Sequence, residues 1–153
     1  MKASIKGIVD ALEVQSDEHP QFLDRQTGEV ELIERDVLRM AEAEDPDELL
    51  DWQEHEFEVA TQLMEDRDRF VKLPTSYDIH EWEIMREFAE SVTPQRFSND
   101  LLNALHGKGA FRYFKDTLYR YHREKEWFAF RDAALREIAV DWCKEHGIDC
   151  QED

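Results

Sequence analysis

The sequence predicts an α+β fold, mostly helical, with about six helices and a small antiparallel sheet, in one domain spanning residues 1–153. Three observations carry this. Apolar residues recur at spacings of three and four through most of the second half, the period of a helix buried on one face. A short alternating segment on each side of Gly28 has the pattern of a β-hairpin. Hydrophobic residues make up 41% of the chain, enough to bury a core despite a formal charge of −18.

Taken in order, Ser4 is placed to cap a helix whose residues Ile5, Ile8, Val9 and Leu12 share one face. Beyond the polar break at 16–20, Gln21–Asp24 and Glu29–Ile33 flank Arg25-Gln26-Thr27-Gly28, and Gly28 supplies the positive φ that closes such a turn. Asp36 caps a brief helical turn to Met40, and Asp45-Pro46 opens a longer helix to about Arg67. Phe70-Val71-Lys72-Leu73 is short and β-prone, a third strand for the hairpin. A helix is predicted over Tyr77–Val92, then one capped by Ser98 or Asn99 that ends at His106-Gly107-Lys108-Gly109. Two more follow, over Ala110–His122 and Trp127–His146. Phe111, Phe114, Leu118, Trp127, Phe130, Ile138 and Trp142 are expected to form a core with Trp82, Met85 and Phe88. Residues 147–153 are expected to fray.

Composition removes several function classes. No apolar run approaches the roughly 18 residues of a membrane span, and the first twenty residues lack an apolar stretch followed by a small-residue cleavage site, so the expected location is the cytoplasm. With two cysteines, Cys143 and Cys150, no disulfide framework is expected. Charge is polarised: residues 1–92 hold 26 acids and 9 bases, whereas Gly107–Arg131 holds seven bases and three acids. A strongly anionic chain repels nucleic acid at long range, so nucleic acid is disfavoured as a partner and a basic island acts locally if it acts on phosphate.

The segments FLDRQTGEV, KLPTSYDIHEWEIMREF, ALHGKGAFRYFKDTL and EWFAFRDAALREIAVDWCKEHGI occur in that order, and with them the chain resembles uncharacterised protein family 0158 over nearly its whole length. The most specific pieces are Gly107-Lys108-Gly109-Ala110-Phe111-Arg112 with Phe114-Lys115-Asp116, and Glu83-Ile84-Met85 with Phe88. The resemblance implies a small bacterial protein and brings no chemistry with it, so no residue inherits a catalytic role.

The basic island is the first candidate site. Two glycines around Lys108 let backbone amides converge at a helix start, with Arg112 and Lys115 adding charge nearby; the same residues also read as a tight αα-hairpin with Lys108 in solvent. The Walker pattern is absent. Arg112, Lys115, Tyr119 and Arg123 fall on one helical stripe, and with Lys108 and Arg131 they form the expected binding site for a protein or an anionic ligand. Its basic and aromatic residues interleave as in single-stranded nucleic-acid sites, although cations beside so many acids commonly pair within their own fold. A small enzyme or a phosphate-ligand protein using the same site is the alternative.

Metal and covalent chemistry find weaker support. His80, Glu83 and Glu87 fall on one helix face, Asp51 and His55 on another, and Cys143, His146 and Cys150 offer three zinc ligands; with 37 carboxylates such spacings also arise on ordinary solvated faces. No His has a Glu three residues before it, as a di-iron bundle requires, and no Gly-x-Ser-x-Gly elbow occurs. No cofactor or metal is expected, and no catalytic residue is assigned. Finally, the acids at 42, 44, 45, 47, 48, 51, 54, 56 and 58 form a dense negative surface that serves solubility or meets a basic partner.

Overall fold

The computed structural model describes residues 2–16, 18–43 and 50–151, and it is an α+β protein dominated by helices. The start expected for a helix at Asp45-Pro46, and the acids at 44, 45, 47 and 48, lie outside the described residues. The chain forms two compact units, Met1–Ser76 with Ala139–Asp153, and Tyr77–Ile138.

The first unit begins with β1 (Ala3–Ser4) and α1 (Ile5–Glu13), where the Gly7 amide donates to Ser4 Oγ at 3.0 Å. Capping satisfies an amide that the first helical turn leaves without a partner. All four predicted apolar residues of α1 are buried. β2 (Gln21–Asp24) and β3 (Val30–Leu32) form the expected antiparallel hairpin, with Gly28 at φ 79°. β4 (Phe70–Lys72) adds to the other edge of β2, also antiparallel, in the order β3-β2-β4. α2 (Arg35–Ala43) extends beyond the predicted turn at both ends. After a 3₁₀ turn at Asp51–Gln53 comes α3 (Glu54–Glu65). Ile33, Val37, Ala41, Val59, Ala60 and Phe70 bury together as the core under the sheet.

One pair fastens this sheet from inside. Asp24 is 3% exposed, and its carboxylate accepts from Arg69 Nε at 2.9 Å and Arg69 Nη2 at 2.8 Å, as well as from the Gln26 amide at 2.9 Å. The hairpin turn and the entry to β4 are thereby tied to one group. The Arg69 guanidinium holds the Asp24 carboxyl below its ordinary pKa, against the burial that pushes it up.

In the second unit the predicted helix over 77–92 divides. α4 (Ser76–Ile79) stops at His80, which adopts φ 55°, and α5 (Glu81–Ser91) starts afresh. The next helix, α6 (Gln95–Ala104), begins directly after Pro94, so neither Ser98 nor Asn99 caps it. Ser98 is buried and its hydroxyl donates to the Ala89 carbonyl at 2.6 Å, fastening α6 to α5. α7 (Ala110–Arg120) follows the glycine turn, and α8 (Glu124–Glu145) is one long helix whose residues fall in both units. An aromatic cluster forms the core here: Phe88 lies 6.3 Å from Phe114, 5.4 Å from Trp127 and 5.3 Å from Phe130, centroid to centroid. Three expected core members differ, Trp142 because it falls in the first unit. Trp82 is 40% exposed, with its indole N–H donating to the Leu105 carbonyl, and Phe111 is 49% exposed because α7 buries Ala110, Phe114, Thr117 and Leu118 instead.

The end of the chain is the largest departure from expectation. Of the tail, residues 147–151 are described: β5 (Cys150–Gln151) pairs in parallel with β1, and a disulfide joins Cys143 to Cys150, where the sequence leads to no disulfide framework. Gly147, at φ 65°, lets the chain reverse so that the Ile148 amide donates back to the Cys143 carbonyl.

Two expectations follow. Phe114 is 0% exposed, so Phe114→Ala should lose about 3–5 kcal/mol in equilibrium denaturation, whereas Phe111→Ala should lose about 1 kcal/mol or less. Asp24 has a folded pKa below its unfolded one, so its stabilisation is complete above about pH 4 and drains as pH falls through the lower folded value. Asp24→Asn should therefore cost about 2 kcal/mol at pH 7, and the gap from the natural protein should close in urea melts at the acid end of that range.

Candidate functional site

The basic island lies on and around α7. Gly107 and Gly109 take φ 76° and 78°, letting the chain leave α6 and start α7 within a few residues. A Cβ at Gly109 would sit 3.1 Å from the Tyr113 ring, so that ring lies close over the turn. Lys108 is exposed, as a tight helical hairpin implies.

The five basic residues singled out in the sequence fall into two groups. Lys108, Arg112 and Lys115 are exposed and make no ion pair among the described residues. Arg112 and Lys115 share the outer face of α7 with Phe111 and Tyr119, which are 49% and 73% exposed. Arg123 and Arg131 are engaged elsewhere. α7 ends at Arg120, and His122 turns the chain at φ 57°, so Arg123 leaves the stripe predicted for it. Its guanidinium donates to both carboxylate oxygens of Glu126 at 2.6 Å and to the Thr93 carbonyl at 3.1 Å, and it lies 4.7 Å over the Phe97 ring. That pairing holds the Glu126 carboxyl below its ordinary pKa. Arg131, only partly exposed, donates through Nε to Glu81 at 2.5 Å. These two arginines hold helix ends together and are not part of the open face.

A neighbouring arrangement escaped the sequence. Asp100 accepts from the Tyr121 hydroxyl at 2.5 Å and lies 3.4 Å from Arg120, and with Arg96 they line a hollow on the second unit. The Asp100 carboxylate raises the Tyr121 pKa, so the phenol stays protonated. The spacing of Asp100 and Tyr121 gives no local signal, because the contact depends on how α6 and α7 pack.

The metal candidates separate or are consumed. His80 precedes α5 in a left-handed conformation, outside the helix that carries Glu83 and Glu87. His55 lies 3.5 Å from Glu31. Cys143 and Cys150 are bonded to each other and cannot both ligate zinc. Among the described residues, no group of three or more His, Cys, Asp or Glu side chains is placed to hold a metal ion. Among them, too, no helix is long and apolar enough to cross a membrane.

No solved structure matches the chain. The UPF0158 protein PA5073 of Pseudomonas aeruginosa is 26% identical to it over 149 residues, covering 97% of this chain and 85% of the relative. The model of the Uncharacterised protein family (UPF0158) matches residues 1–152, and the chain belongs to that family.

Proposed function

We propose that this protein is a cytoplasmic binding module whose α7 face, formed by Lys108, Arg112 and Lys115 with Phe111 and Tyr119, engages an acidic segment of a partner protein. The observation that carries this is selective pairing. Among the described residues, Arg120, Arg123 and Arg131 find internal acids while Lys108, Arg112 and Lys115 do not, and the rings of Phe111 and Tyr119 stand exposed on the same side of α7 as Arg112 and Lys115. Exposed rings amid cations give a partner apolar contact with charge around it, the make-up that binding surfaces favour. An acidic polypeptide satisfies the cations without the dense phosphate charge that the rest of the molecule repels. A catalytic reading has less support: the five described groups with displaced pKa values, Asp24 with Arg69, Arg123 with Glu126, and Tyr121 beside Asp100, each owe the displacement chiefly to a partner in the same unit that already occupies them.

The test is fluorescence anisotropy with a labelled peptide rich in Glu and aromatic residues, beside a labelled single-stranded oligonucleotide of equal charge. The peptide should bind, and binding should weaken as salt rises past about 0.1 M, where charges roughly 10 Å apart are screened. Lys108→Ala with Arg112→Ala and Lys115→Ala should cost about tenfold in affinity, at a few tenths of a kcal/mol for each exposed pair lost. Arg123→Ala should leave affinity unchanged while lowering the melting temperature. Equal affinity of the triple variant and the natural protein would remove α7 as the site, and tighter binding of the oligonucleotide would replace the partner class.

A further inference from the structure

A different feature, in the first unit, concerns the two cysteines. They join the end of α8 to the last described strand, and that strand is otherwise held by little. β5 contributes two residues, opposite Ala3 and Ser4, and the Ala3 amide donates to the Asp149 carbonyl at 2.9 Å. What lies beneath is apolar and closed from water: Ala3 is 1% exposed, Ile5 0% and Cys143 2%. A strand this short has almost no pairing energy of its own, so a covalent tether decides whether it stays.

The tether is reachable. Cys150 is only partly buried, and both cysteines line a hollow of about 530 Å³ with Lys2, Ile5, Val140 and Lys144. A small thiol fits in such a volume, which Lys2, Lys144 and Asp149 rim with charge of both signs. This rests on the cytoplasmic location proposed above: disulfides in such a reducing compartment are as a rule transient ones that report or respond to redox state, and an accessible bond is the kind that exchanges.

We propose that Cys143 and Cys150 form a reversible thiol–disulfide site for low-molecular-weight thiols, and that its state decides whether residues 148–151 stay docked on β1. In reduction, the thiolate of an external thiol attacks Cys150 Sγ, giving a mixed disulfide there, and the Cys143 sulfur leaves as thiolate and takes up a proton. A second external thiol attacks its partner's sulfur in that mixed disulfide and releases Cys150 as a thiol. Two external thiols become one disulfide, and the protein gains two electrons and two protons. Release of β5 then opens the apolar floor at Ala3 and Ile5.

The full chain should be equilibrated in glutathione buffers covering a wide range of reduced-to-oxidised ratios, alkylated with iodoacetamide and weighed intact, with amide hydrogen exchange followed in parallel. The expected result is a change from no adduct to two adducts inside that range, accompanied by roughly tenfold faster exchange at the Ala3 amide. Cys150→Ser should exchange fast at Ala3 in every buffer, and reduced natural protein supplies the same comparison if that variant fails to fold. A pair that stays oxidised in all buffers is a structural staple, one that stays reduced in all is no couple, and Ala3 exchange unchanged on reduction removes the docking role; each result overturns the proposal.

Discussion

Carboxylate excess governs how this chain folds. With 37 acids for 19 Lys and Arg, several arginines brought near another element meet an acid, and these pairs fasten the elements they join. Arg69 on Asp24 closes the small sheet from inside, Arg131 reaches Glu81 across fifty positions of sequence, and Arg123 joins Glu126 and the Thr93 carbonyl. All three are arginines, whose planar fork meets a carboxylate with two parallel bonds and can reach a carbonyl as well. The buried member of the set carries weight, because removing either partner would strand a charge out of water. The exposed ones, such as Arg86 with Glu90, set local geometry more than stability.

Local pattern makes most of the fold legible in the sequence. Most helices of the second half announce themselves by spacing within their own residues, although α4 and α5 read as one, and Gly28 marks the hairpin turn. What stayed hidden depends on distant residues or on a backbone switch without a marker. His80 and His122 interrupt helices by taking positive φ, a conformation that sequence readers assign to glycine or asparagine. The pairing of β1 with β5 joins opposite ends of the chain through two residues each, too few to carry a period. The disulfide followed from that same closure, since Cys143 and Cys150 meet only once the chain reverses at Gly147.

The candidate site was half legible for the same reason. That basic and aromatic residues interleave along Phe111–Tyr119 is a statement about one helix, and the structure keeps it. Which cations remain open is a statement about partners. Glu126, three positions from Arg123, was visible as an (i, i+3) pair, whereas Glu81 for Arg131 belongs to another helix and no spacing reveals it.

The exposed rings of α7 are the feature on which the proposed binding role rests. Its buried side is already complete, with Ala110, Phe114, Thr117 and Leu118 meeting the core, so no packing demand places an aromatic residue on the opposite side. Tyr113 has a structural reason to be aromatic, since its ring lies over Gly109, where the missing Cβ leaves room for it. Phe111 and Tyr119 have no such contact with the turn, and a chain selected only for solubility would place polar residues there, as it does at Asp116 and Arg120. On the proposed role, Phe111 and Tyr119 stand in water beside Arg112 and Lys115, which make no ion pair among the described residues, and a partner seated on that face would gain by excluding the water.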